Sequence, residues 1–246
     1  MNQGIFVAGT DTGVGKTFVT AGIVRWLRIK GVEAVPMKPV QTGGEWQGNH
    51  LVAPDLEFCL SAGGPELSDD EMRLASPYIF EPACSPHLAG RMTGQYIDMS
   101  VIKDYSRRLA GSHEVVVIEG SGGIMVPLNE SETMLDLMKT LGYPVVLVSR
   151  VGLGSINHAL LSIEALRSAG IEVIGIVFNR VEPPATEDCF IEQDNPDAIA
   201  RFGRVKVLGN IPYLDTHEST EETWAIFERS MPGLHEIEQF VRATNG

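Results

Sequence analysis

Ile5-Phe6-Val7-Ala8-Gly9-Thr10-Asp11-Thr12-Gly13-Val14-Gly15-Lys16-Thr17 begins as a short apolar run, turns through glycines and ends on a lysine and a hydroxyl. Val19, Gly22, Ile23, Trp26 and Leu27 then recur at helical spacing and trace one apolar face. Strand, glycine loop and helix in this order form a phosphate cradle. Glycines let backbone N–H groups turn inward around an anion, Lys16 reaches outer phosphates, and the Thr17 hydroxyl suits a magnesium shell. Gly13, Val14, Gly15 and Phe18 contribute to the same cradle, and the expected ligands are ATP and Mg2+. The first glycine stands one place earlier than in the usual spelling, at Gly9 rather than position 10, which leaves the physical requirement for permissive backbone intact.

Six short β-branched runs, at residues 5–8, 33–36, 115–118, 144–148, 173–178 and 206–211, alternate with mostly helical patterns. Uninterrupted apolar strands imply burial on both faces, so the spacing predicts an α/β fold: a doubly wound, mainly parallel sheet flanked by helices, of the P-loop NTPase type. The 246 residues suit one domain spanning residues 1–246. Ligands in such sheets collect at the carboxyl ends of the strands. Lys16, Lys38, Glu119 and Asn179 each follow one of these runs and are expected to share one crevice.

A net charge of −13 disfavours nucleic acid and a polybasic membrane contact. The N-terminus lacks a basic segment and a long apolar stretch, so a cytosolic protein is expected. Cys59, Cys84 and Cys189 stand far apart without metal or redox spacing and read as packing residues.

Glu119 precedes Gly120-Ser121-Gly122-Gly123 and occupies the place of a strand-end acid that binds magnesium. Asp55, beside Pro54, suits either a helix cap or a second acid. Lys38 lies between Pro36 and Pro39, as a placed cation or a solvated strand-edge lysine, and the nearby Thr42 hydroxyl could bind the same group. Ser155, Ile156 and Asn157 open a helix whose free N–H groups suit a carboxylate or a plain cap. Asn179 can read an adenine edge or form a turn, with Pro212, Tyr213 and Leu214 as a wall for the base. Residues 182–187 and 215–222 read as polar surface loops or a mobile lid.

Taken together, the residue 9–17 loop, Lys38-Pro39-Val40, Glu119 to Gly123, Gly154-Ser155-Ile156-Asn157-His158-Ala159, Asn179-Arg180 and Ile211-Pro212 make the chain resemble the dethiobiotin synthetase family. The resemblance implies a homodimer that takes 7,8-diaminononanoate and CO2 from bicarbonate, phosphorylates a carbamate with ATP and closes a cyclic urea. It implies magnesium on Thr17, Asp55 and Glu119, and catalytic roles for Lys16, Lys38 and Thr12. It places the substrate on Thr12, Lys38, Thr42, Ser155, Ile156 and Asn157. It gives the nucleotide to residues 13–18, Asp55, Glu119, Gly120, Ser121, Gly122, Asn179, Arg180 and residues 212–214. Partition-type ATPases resemble the chain in fold, but carry a second lysine where Asp11 stands here. Cobyrinate-type amide synthetases need a glutaminase domain for which no length remains.

Overall fold

The computed structural model describes residues 4–183, 189–214 and 220–245. Its centre is a six-stranded sheet of β1 (Gly4–Gly9), β2 (Ala34–Met37), β7 (Val115–Gly123), β8 (Val145–Ser149), β9 (Val173–Asn179) and β10 (Val207–Ile211). The order across the sheet is β10-β9-β8-β1-β7-β2, and every pairing is parallel. All six apolar runs are strands of this sheet.

Alternate residues explain why these runs are apolar throughout. Phe6, Val35, Val116, Ile118 and Leu147 enter a core on one face, while Ile5, Val7, Val115, Val117 and Val146 enter a second core on the other. The first core is completed by α5 (Met99–Ser112), α6 (Met134–Leu141) and α7 (Ser155–Ser168), and the second by α1 (Lys16–Ile29), α9 (Glu221–Ser230) and α10 (Leu234–Asn245). Helices on both faces make the sheet doubly wound.

Gly22 of α1 shows how tightly the second core is closed. A Cβ there would lie 2.2 Å from the ring of Phe227, which is fully buried. Gly22→Ala gains about 1 kcal/mol of helix propensity but overpacks a core by a cost of about 1–3 kcal/mol. A net loss of stability is the expected result, read as a lower denaturant midpoint with an unchanged slope; a midpoint at or above wild type would contradict this packing.

Between β2 and β7 the chain builds smaller elements: β3 (Val40–Thr42), the hairpin of β4 (Glu45–Gln47) and β5 (His50–Val52), α2 (Pro54–Ser61), α3 (Asp69–Ala75), β6 (Tyr78–Phe80) and α4 (Pro86–Thr93). Gly48, at φ 62°, turns the hairpin. This excursion carries Thr42 and Asp55 back to the sheet. Two details differ from expectation. β7 continues through Glu119 to Gly123, with Glu119 in register with Val7, because the glycine-rich segment carries the pairing across a bulge, with Gly122 at φ 68°, and pairs Gly123 with Gly9. In the 215–222 stretch, residues 215–219 lie outside the described residues, whereas Glu221 and Glu222 begin α9, capped by the Thr220 hydroxyl. Of the 182–187 loop, residues 184–187 also lie outside the described residues. α8 (Cys189–Gly203) follows.

Candidate active site

The segment between β1 and α1 is shaped by its glycines. Gly13 and Gly15 have φ of 72° and 87°, the left-handed region, and Gly15 caps α1 with no side-chain hydrogen bond, leaving N–H groups of the first turn free. Lys16 folds back over the loop and donates to the Asp11 carbonyl at 2.9 Å. Its Nζ would lie 2.8 Å from a Cβ at position 9, which accounts for the glycine at that place rather than at 10.

Two strands and a helix bring side chains to this loop. Lys38, immediately after β2 and only 5% exposed, lies with Nζ 2.6 Å from Glu119 Oε1 and 2.6 Å from Asp55 Oδ2. Thr17 Oγ1 donates to the same Glu119 oxygen at 2.9 Å, while Glu119 Oε2 is buried without a partner. Lys38 is therefore a buried placed cation, not a solvated one. Asp55 reaches it from the first turn of α2, one turn before Cys59, whose thiol lies 3.8 Å from the Thr17 carbonyl. Burial, then the charges of Glu119 and Asp55, push that thiol well up, so Cys59 stays protonated and packs.

Burial also acts strongly on the charged groups of the site. It pulls the Lys16 ammonium down to about 8, against Glu119. It also raises Glu119, against Lys38. Burial pulls Lys38 down as well, but Glu119 and Asp55 outweigh it and leave Lys38 above its usual range. A phosphate group beside Lys16 favours the ammonium. Triphosphate binding near pH 8 should therefore take up a fraction of a proton. Calorimetry in buffers of different ionisation enthalpy reads this as a non-zero slope, and a flat line would refute it.

These residues line one cavity of about 380 Å³, together with Thr12, Gly13, Gly15, Gln41, Thr42, Ser121 and Gly122. Ser121 Oγ donates to the Val40 carbonyl, and Lys38 Nζ lies 3.4 Å from the Gly120 carbonyl. The oxygen donors fit a hard divalent ion. Glu119 Oε2 is an orphaned buried acceptor, and Thr17 and Asp55 line the same cavity, so two carboxylates and a hydroxyl are within one pocket.

A second cavity of about 490 Å³ adjoins the first through Thr12 and Gly13, and is lined by Val14, Arg150, Asn179, Arg180 and Glu192 among others. Arg180 pairs with Glu192 of α8, a partner the sequence did not signal, because it lies beyond a loop of uncertain length. Pro212, Tyr213 and Leu214 follow β10 but line neither cavity, and Tyr213 is exposed. The Phe18 ring turns into the second core, stacked on Trp224 at 5.1 Å, so only its main chain is available to the cradle.

Ser155, Ile156 and Asn157 open α7 away from these cavities. Ser155 is fully buried and its hydroxyl accepts from Asn195 Nδ2 at 3.0 Å, which commits that side chain internally. Ile156 and Asn157 line a separate cavity of about 730 Å³ beside exposed Leu153, Leu161 and Phe202. Gly154 caps α7 at φ 85° without a side-chain bond.

The chain is similar to known proteins over most of its length. A family model described as an AAA domain matches residues 3–221. An ATP-dependent dethiobiotin synthetase of Anoxybacillus flavithermus is 34% identical, over 90% of this chain and 97% of its own. One from Anaeromyxobacter dehalogenans is 42% identical, over 86% and 90%. Among solved structures, the Pyrococcus furiosus cell division ATPase MinD superposes with a TM-score of 0.60 at 18% identity, covering 98% of both chains, which shows the P-loop NTPase fold alone. Identity over nearly the whole length of such relatives, on a chain whose loop, second lysine and strand acid converge on one cavity, places this protein in the family of ATP-dependent dethiobiotin synthetases.

Proposed function

We propose that the protein uses ATP and magnesium to convert 7,8-diaminononanoate and CO2 to dethiobiotin, in biotin synthesis. The observation that carries the reading is the convergence of Lys16, Lys38, Thr17, Asp55 and Glu119 on one cavity that also contains Thr12 and Thr42. One amine of the diamine adds to CO2 and loses a proton, giving a carbamate. The carbamate oxygen displaces ADP from the γ-phosphorus of ATP, giving a carbamic-phosphoric anhydride. The second amine then attacks the carbonyl carbon, expels phosphate and closes the urea.

Lys38 and Lys16 hold the carbamate and the transferring phosphoryl oxygens, in a setting preorganised by the carboxylates around Lys38. Thr12 and Thr42 orient the diamine end through their hydroxyls. Thr17, Asp55 and Glu119 would hold magnesium, which when bound neutralises phosphate charge. Gly13 to Phe18, Gly120, Ser121 and Gly122 bound the phosphates, while Asn179, Arg180, Pro212, Tyr213 and Leu214 attend the base. Residues 1–246 are read as one catalytic domain working in the cytoplasm. No described helix is long and apolar enough to cross a membrane.

A homodimer completes the reading. Leu153, Leu161, Met125 and Phe202, all well exposed around α7, supply an apolar face for a second copy, which would bring the α7 N-terminus and its free N–H groups to the substrate carboxylate. The test is phosphate release from MgATP with 7,8-diaminononanoate and bicarbonate, with mass spectrometry for the cyclic urea. Diamine-dependent phosphate and urea are expected; hydrolysis indifferent to the diamine, without urea, would overturn the assignment.

A further inference from the structure

Asn179 ends β9, in register with Ile211, and is only 5% exposed. Its Nδ2 donates to the Val14 carbonyl at 3.1 Å. A carbonyl can only accept, so the amide edge facing the loop is the NH2 edge and the orientation of the side chain is fixed. The amide sits directly over Gly15: a Cβ there would be 2.0 Å from Nδ2.

This contact acts on a peptide unit that little else holds. Gly15, on the carboxyl side of the Val14–Gly15 peptide, is at positive φ and admits either orientation of that peptide without a side-chain clash of its own. A trans peptide is planar, and its C=O and N–H point in opposite directions. Drawing the Val14 carbonyl toward β9 turns the Gly15 N–H the other way. Gly15 lines the cavity that holds Lys16, Thr17 and Lys38, while Val14 lines the cavity shared with Asn179.

We propose that Asn179 is a positioning residue of the phosphate loop, holding the Val14 carbonyl so that the Gly15 N–H is aimed at the phosphates. This role is separate from any contact with the base, and it rests on the reading of the loop as a triphosphate cradle. With Gly15 on one side and no other bond to its carbonyl among the described residues, an unpinned Val14–Gly15 peptide samples both orientations, and the anion loses a donor that is ready-made in the wild type.

Magnesium tripolyphosphate, which has no base, separates the two roles. Binding of tripolyphosphate and of MgATP is measured by calorimetry for wild type, Asn179→Ala and the isosteric Asn179→Asp, with thermal midpoints as a check on folding. Loss of a hydrogen bond to a charged group predicts about a tenfold or greater fall in tripolyphosphate affinity, with a matching fall for ATP. Tripolyphosphate affinity within twofold of wild type would overturn the proposal, whether or not ATP binding weakens, and a weakened ATP would leave Asn179 as a base contact alone. A wild type that fails to bind tripolyphosphate would remove the cradle itself, a different failure from equal binding by all three proteins.

Discussion

Lys38→Ala is expected to lower diamine-dependent phosphate release by about a thousandfold, while the variant still folds and binds ATP. Lys38 is the only cation bonded to both Asp55 and Glu119 among the described residues. Without it, charge developing on the transferring phosphoryl group meets two carboxylates and one lysine. Stability should fall as well. Breaking a buried ion pair costs about 3–5 kcal/mol, and the partly exposed Asp55 places this case toward the lower end. The sign of the pH dependence follows from Glu119. Burial already raises its carboxyl, and removing Lys38 raises it further. Protonation on acidification then relieves the uncompensated charge, so the deficit against wild type shrinks as pH falls. Denaturant midpoints across pH check this, alongside phosphate release. A variant within tenfold of wild-type activity would take Lys38 out of the chemistry.

Gly15→Ala should weaken ATP binding by about a hundredfold or more, because two independent costs coincide. At φ 87° an L side chain carries about 1–2 kcal/mol of strain, and its Cβ would sit 2.0 Å from Asn179 Nδ2. The overlap is relieved either by swinging the Asn179 amide off the Val14 carbonyl or by moving the Val14–Gly15 peptide, and both disturb the loop that the proposed function gives to the phosphates. Gly13→Ala is the informative comparison. It also has positive φ, but nothing lies within 4 Å of its Cβ, so only the conformational cost remains. Calorimetric titration with ATP should place Gly13→Ala between wild type and Gly15→Ala; equal loss in the two variants would deny the steric part of the argument.

The sheet was legible because both of its faces are apolar, so the strands wrote themselves as unbroken β-branched runs. The residues just beyond those runs were legible for a related reason: strand ends in a parallel sheet share one edge. Lys16, Lys38, Glu119 and Asn179 therefore declared themselves by position. Asp55 did not, since it returns to the site by way of a hairpin and a short helix whose local pattern reads as a cap. The partners of Lys38 were equally hidden, because Glu119 lies 81 residues away and two prolines fix a backbone, not a neighbour. β3 and β6 escaped notice because each has three residues, too few to establish alternation. For Asn179, type and place were readable, but its bond to Val14 crosses 165 residues and carries no local signature.

The strand order also bears on how the chain comes together during synthesis. Among the described residues β1 bonds only to β7 and β8, and β2 only to β7, so the two strands of the six-stranded sheet made before residue 115 do not pair with each other. A growing chain emerges with the phosphate loop and the buried lysine already translated, yet its main sheet must wait for β7 to slide between two strands made long before. Long-range parallel pairing of this kind closes large loops and is intrinsically slow. Until then β1 and β2 are apolar segments without a sheet partner, the kind of surface that makes an incomplete chain prone to associate with others.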